Sequence, residues 1–141
     1  MSIREYFSNH STEFKIMSGI TLIPNVEGTL RLPRFQTKSG ERIIDSRRII
    51  YLSAQLNYTI FHLADGEQVV TSLSLSFYAP LLGACGFIRV HKSYMVNGYY
   101  LGNCRLKQNR ELRLPNGKVI EVARRRHTEL KQKLKSQLIM R

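Results

Sequence analysis

Residues 87–97 place a group of hydrogen-bonding side chains between hydrophobic neighbours. The group consists of Arg89, His91, Lys92, Ser93 and Asn97. If residues 87–90 form a strand, alternation puts Phe87 and Arg89 on the same face, so that face is suited neither to solvent nor to an apolar core. An anion held at the surface resolves the conflict, because these polar groups suit phosphate oxygens and base edges.

The charge of the chain favours the same chemistry. It has 22 Lys and Arg residues against 10 Asp and Glu, a formal net charge of +12 over 141 residues. No acidic residue occurs between Glu67 and Glu111, a stretch that includes residues 87–97 and five basic residues. Such an excess usually indicates a nucleic acid or an anionic membrane surface as partner, the alternative being a protein that is merely basic.

A second basic group lies near the C-terminus, where Arg124, Arg125 and Arg126 begin a predicted helix. The helix macrodipole disfavours cations at this end, so three arginines are mildly unfavourable unless an external phosphate compensates them. A solvated, basic helix start is the simpler alternative.

Short strands and turns are predicted to position these groups. Hydrophobic alternation and turn residues predict strands at residues 29–35, 42–44, 48–52, 58–63, 68–71, 87–90, 99–106, 111–114 and 118–122. An internal helix is predicted at residues 73–82, with Leu73, Phe77 and Leu81 as its apolar stripe and Ser72 or Ser74 as its cap. The final helix is predicted at residues 124–138. The fold class is therefore mostly β: small antiparallel sheets of short strands with one short internal helix and a C-terminal helix.

The length and composition indicate one domain at residues 29–141 after an unassigned N-terminal extension at residues 1–28. The extension is either a flexible leader or an edge of the domain, residues 14–23 could add a strand, and no receiver domain is expected before the basic segment. The longest nearly apolar run, residues 77–88, falls short of the roughly 20 residues that span a bilayer, and no signal peptide is evident. A cytoplasmic protein without a membrane partner is expected.

Catalysis has little support in the sequence. The four histidines are dispersed without metal-ligand spacing, and Ser93 beside His91 lacks an orienting acid. The central half of the chain offers no pair of carboxylates for acid–base chemistry. We therefore expect no enzyme activity, no metal, no cofactor and no small-molecule substrate.

Residues 87–97 resemble the signature F-x-R-x-H-x-S-x-x-V-N of the LytTR domain, a bacterial DNA-binding module. Flanking segments are similar to the family in the same order, at residues 49–52, 57–63, 65–66, 73–82 and 120–125. The resemblance covers about residues 30–134. Ala123 departs from the family, which usually has Ser there, and so loses a hydroxyl that could cap the helix or contact phosphate.

The resemblance implies a response-regulator-like transcription regulator that binds double-stranded DNA through loops in the major groove, in pairs on repeated sites. By position in the motif, Asn57, Lys92 and Arg124 would contact bases. The backbone phosphates would be held by Arg89, His91, Ser93, Tyr58, Arg125 and Arg126, while Asn97 would hold the loop together.

Alternatives remain open for several of these residues. Asn57 could only shape a turn, Lys92 could contact phosphate or solvent, and His91 could be structural. An RNA-binding module is the alternative function, with base stacking on Tyr58, Phe61, Tyr94, Tyr99 and Tyr100. A third possibility is a basic protein that docks an acidic partner through its last helix.

Overall fold

The mostly-β fold predicted from the sequence is confirmed by a computed structural model. This structure describes residues 14–24, 31–37 and 40–139, with side chains for residues 44–135. Its strands are β1 Phe14–Pro24, β2 Arg31–Thr37, β3 Gly40–Ile43, β4 Ile49–Gln55, β5 Tyr58–Leu63, β6 Gln68–Thr71, β7 Phe87–His91, β8 Tyr94–Asn97, β9 Arg105–Leu106, β10 Glu111–Arg113 and β11 Val119–Glu121. Its helices are α1 Leu75–Gly83 and α2 Arg124–Ile139, with 3-10 helices at Ser46–Arg48 and Gly98–Asn103.

The strands form one large sheet and one small sheet. The large sheet has eight strands in the order β3-β2-β1-β6-β5-β4-β8-β7, and the small sheet has three in the order β11-β10-β9. Neighbours are antiparallel except for β1 and β6, which pair in parallel. The segment at residues 14–23 is therefore a strand inside the large sheet, between β2 and β6. A boundary at residue 28 between extension and domain stays a prediction.

Both faces of the large sheet carry a hydrophobic core, and strand β7 supplies a residue to each. Phe87 is 4 % exposed and packs in the core beneath α1, whereas Val90 is fully buried in the core formed with the small sheet and α2. The predicted alternation is present. The conflict over Phe87 disappears because a second core, which the sequence pattern did not reveal, covers its face.

Helix α1 begins one residue after its cap. The Ser74 hydroxyl accepts a hydrogen bond from the Phe77 backbone N–H at 3.3 Å. Of the two predicted cap residues, Ser72 and Ser74, the cap is therefore Ser74. The predicted apolar stripe is wrong, because Phe77 is 44 % exposed. The buried face instead consists of Leu75, Tyr78 and Leu82, with the Tyr78 ring edge-on to Phe61 at a centroid distance of 5.1 Å.

The predicted strand at residues 99–106 is mostly a 3-10 helix, and only β9 remains of it. The change of direction follows from a close backbone contact. The Gly98 N–H donates to the Gly86 carbonyl at 3.0 Å, and a Cβ at position 98 would lie 2.5 Å from that oxygen. Only glycine fits this approach. Neither α1 nor α2, as far as the structure describes them, combines the length and the hydrophobicity of a membrane-spanning helix.

Strand β5 contains a partly buried histidine on the face toward the small sheet. The His62 ring stacks on Tyr51 at a centroid distance of 4.0 Å, and its Nε2 lies 2.7 Å from the Ser53 hydroxyl. Burial lowers the pKa of His62 to about 4, and the charge of Lys118 lowers it further. The folded protein therefore holds His62 neutral near pH 7.

The low pKa of His62 predicts that the protein loses stability on mild acidification. In the unfolded chain the pKa of His62 is near 6.5. Below that pH the unfolded state binds a proton, whereas the folded state does not bind one until the pH is much lower. Its contribution is complete above about pH 6.5, and we expect a loss of about 2 kcal/mol between about pH 7 and pH 5. Urea denaturation at both pH values measures it. The variant His62→Phe keeps the ring stacking without titrating, and an equal loss in both proteins would contradict the prediction.

Candidate nucleic-acid interface

Two hairpin turns lie side by side at one end of the large sheet. Leu56 and Asn57 join β4 to β5, and Lys92 and Ser93 join β7 to β8. Strands β4 and β8 are antiparallel neighbours, and the Ala54 N–H donates to the Ser93 carbonyl at 2.9 Å. With adjacent strands about 4.8 Å apart, the two turns are on the order of 10 Å from one another.

A bulge in β7 brings the start of α2 to the same end of the sheet. Arg89 pairs with Met95 and His91 with Tyr94, so Val90 between them is left out of the ladder. The Val90 carbonyl instead accepts from the Ala123 N–H at 2.7 Å. Ladder irregularities of this kind often redirect the chain beside functional sites. Here the bulge fixes the arginines of α2 next to the β7–β8 turn.

The Ala123 carbonyl accepts the first helical bonds of α2, from Arg126 at 2.9 Å and His127 at 3.0 Å. Ala123 therefore occupies the N-cap position, where its methyl group offers no acceptor to the first N–H groups of the helix. This is the structural consequence of the departure from Ser noted in the sequence.

A groove of about 690 Å³ lies between the β7–β8 turn and the start of α2. It is lined by Arg89, His91, Lys92, Ala123, Arg124, Arg125 and Arg126. This lining contains five permanent cations and no carboxylate. Burial lowers the pKa of Arg89, and the charge of Arg126 lowers it further to a smaller extent. The surroundings of Arg89 therefore destabilise its charged form. An anion in the groove would offset both effects.

Arg89 supports the turn in addition to lining the groove. Its Nε donates to the His91 carbonyl at 2.9 Å, and its Nη2 donates to the Lys92 carbonyl at 2.6 Å. Two of the five guanidinium N–H donors are thereby used to hold the backbone that carries Lys92. The others remain for a phosphate, so a positioning role and a binding role are compatible in this residue.

His91 has the contacts of an orienting residue. Its Nδ1 accepts a hydrogen bond from the Ser93 N–H at 3.1 Å, and its Nε2 lies 3.7 Å from the Glu121 carboxylate. An accepting Nδ1 places the proton of the neutral ring on Nε2, toward Glu121. These contacts favour the structural alternative for His91 over direct phosphate binding. Glu121 lies in the family-like segment at residues 120–125, but its proximity to His91 could not be predicted from that segment.

Asn97 ties the base of the hairpin to a distant segment. Its side chain is 4 % exposed, and its Nδ2 donates to the carbonyls of Ser46 and Ile49, both at 2.9 Å. Its Oδ1 accepts from the Tyr99 N–H at 3.0 Å and so caps the 3-10 helix. All of these contacts are to backbone groups, and they link the end of β8 to residues 46–49 and to the 3-10 helix.

The structure brings six of the nine predicted contact residues into the lining of one groove. Ser93 is in the same turn as Lys92, while Asn57 and Tyr58 lie at the neighbouring turn. The predicted contact residues that are exposed, as binding residues must be, are Asn57, Lys92, Arg124, Arg125 and Arg126. Leu56, which precedes Asn57 in this turn, was not among the predicted contact residues, although it is 55 % exposed. A large apolar residue in a tight turn was the available signal.

The aromatic residues proposed to stack on RNA are not arranged for it. Phe61 is fully buried beneath α1, which makes its assignment as a stacking platform wrong. Tyr94 packs against the core on the opposite face, and Tyr99 is exposed in the 3-10 helix near the other end of β8. A stacking surface would need these rings on one accessible face.

Comparison with known proteins places the chain among DNA-binding domains. The family model described as LytTr DNA-binding domain matches residues 40–135. A solved structure described as the LytTr DNA-binding domain of a methyl-accepting/DNA response regulator from Bacillus cereus superposes with a TM-score of 0.58 at 21 % identity, covering 73 % of this chain and 95 % of that one. At this identity the likeness shows the fold. No curated protein matches the chain, and neither match supports an RNA-binding module.

Proposed function

Because the chain belongs to the LytTR DNA-binding domain family, we propose that it is a sequence-specific regulator that binds double-stranded DNA through loops inserted in the major groove. Membership in this family makes DNA the partner and transcription regulation the class of function, and the family is not one of enzymes. On this proposal the protein works in the bacterial cytoplasm and binds repeated sites as a pair.

The observation that carries the proposal is a groove lined by five cations between the β7–β8 turn and the start of α2, with the β4–β5 turn beside it at the same end of the sheet. Phosphates would neutralise the groove, and side chains at the tips would contact base edges. Asn57 suits adenine N6 and N7, while Lys92 and Arg124 suit guanine O6 and N7. The phosphate contacts are assigned to Arg89, Ser93, Tyr58, Arg125 and Arg126, with His91 holding the turn.

Selection of bound duplexes from a random pool tests the proposal. At near-physiological ionic strength, we expect a recurring motif, and footprinting on it should protect two equal, similarly oriented or mirrored half-sites. Recovery of duplexes without any common motif would overturn sequence-specific binding. A single protected half-site with one protein copy would overturn only the paired arrangement.

Arg125 is expected to bind phosphate, so its loss should weaken binding to every duplex by the same factor. Each neutralised phosphate contributes about −0.9 to the slope of log affinity against log salt, so Arg125→Ala should make the slope shallower by roughly one unit. Affinities measured at several salt concentrations check this. Lys133→Ala is the matched control, because this exposed lysine lies on the same helix about 12 Å further from its start. An unchanged slope for Arg125→Ala would exclude the phosphate contact.

A further inference from the structure

Leu56 occupies a backbone position that normally belongs to glycine. Gln55 and Tyr58 are paired, which makes Leu56 and Asn57 the two central residues of the β4–β5 turn. Leu56 has φ 58°, and Asn57 is not among the described residues with positive φ. A positive φ at the first central residue alone is the pattern of a type II′ turn, where glycine predominates. At a positive φ the Cβ of a leucine lies too close to a backbone carbonyl oxygen, so this conformation is unfavourable for leucine.

The strained leucine also projects its side chain into solvent. Leu56 is 55 % exposed, so its packing against the described residues does not offset the unfavourable backbone conformation. Single exposed leucines are common on protein surfaces, and exposure alone would need no explanation. Leu56, however, combines exposure and strain with a place at the sheet end that carries Asn57, Lys92 and the groove. Strained residues of this kind concentrate at functional sites.

We propose that Leu56 is a specificity-determining residue that contacts the C5-methyl group of a thymine in the major groove. The inference rests on the proposed function and extends it to a side chain outside the predicted contact set. Among the four bases, thymine alone presents a methyl group there, and apolar side chains recognise it by excluding water. With Asn57 directed at adenine, the β4–β5 turn favours A·T pairs in its part of the site.

Replacement of single thymines by deoxyuridine tests the contact directly. Deoxyuridine keeps every hydrogen-bonding group and removes only the methyl, so we expect the wild-type protein to lose about fourfold in affinity at one or two thymines of the selected site. Leu56→Gly should bind the thymine duplex with an affinity that is lower than that of the wild type by a similar factor. It should bind the thymine and deoxyuridine duplexes with equal affinity. It should also melt at a higher temperature, because glycine relieves the left-handed strain. Leu56→Met should retain part of the discrimination.

Thymines outside the recovered motif serve as internal controls. Wild-type insensitivity to every deoxyuridine substitution would overturn the role of Leu56 while leaving the selected site, and thus the proposed function, intact. Discrimination that survives in Leu56→Gly would assign the methyl contact to another residue. A loss in Leu56→Gly that is equal on all duplexes, motif or not, would make Leu56 a general contact to sugars. Absence of any selected motif would overturn the inference and the proposed function together.

Discussion

Replacing Asn97 with alanine is expected to lower the free energy of unfolding by about 2 to 5 kcal/mol, because two buried carbonyls and one partly buried N–H lose their partner at about 1 kcal/mol or more each. The amide holds the carbonyls of Ser46 and Ile49 and the N–H of Tyr99 at 2.9 to 3.0 Å. Alanine leaves the two carbonyls buried without a hydrogen-bond partner. Chemical denaturation of the wild type and the variant measures the loss.

Asn109→Ala is the matched control for this prediction. The Asn109 side chain also accepts a hydrogen bond from a backbone N–H, that of Glu111 at 3.3 Å, but it lies in an exposed turn. Its loss should cost under about 1 kcal/mol, since water replaces the contact. Equal losses in the two variants would mean that burial of the Asn97 contacts contributes nothing. Asn97→Asp should be as damaging as alanine, because it sets a carboxylate against two carbonyl oxygens.

The role of Asn97 illustrates what could and could not be predicted from the sequence. Its place in the signature indicated a residue that holds the loop. Its partners Ser46 and Ile49 are 51 and 48 residues upstream, and no local pattern connects them.

The groove was likewise only partly predictable from the sequence. Arg89 and Lys92 are neighbours within one hairpin, so their proximity follows from the sequence. Arg124 is brought next to them by tertiary contacts, among them the bond between Ala123 and the bulged Val90.

The fold was predictable where local chemistry decides it. Turn residues and alternation identified β5, β6 and β7, and the start of α2 coincides with Arg124. The errors fall where tertiary contacts override periodicity. The stripe of α1 was misplaced because the helix packs through Tyr78 onto Phe61, and the strand at residues 99–106 gave way to a 3-10 helix because Gly98 must approach Gly86. Alternation in β7 was correct, but the second core that buries Phe87 depends on α1.

Arg124→Ala is expected to weaken binding to the selected DNA site by about 5- to 150-fold, the effect of about 1–3 kcal/mol for one bidentate contact to a guanine. Unlike Arg125→Ala, it should also relax the preference at a single base pair. Titrations against the selected site and its single base-pair variants separate the two results. A loss that is equal on all sequences would make Arg124 a phosphate contact.

The stability of Arg124→Ala decides whether such a loss is a binding effect. Arg124 is exposed at the first position of α2, where the macrodipole disfavours a cation, and Ala123 supplies no side-chain cap to compensate. Alanine removes the unfavourable charge and is the best helix former, so the variant should be as stable as the wild type or slightly more stable. Weaker binding with unchanged or raised stability would mean that the arginine is retained at a cost to the fold because DNA compensates it. A fall in stability that parallels the fall in affinity would contradict this account and make Arg124 a structural residue.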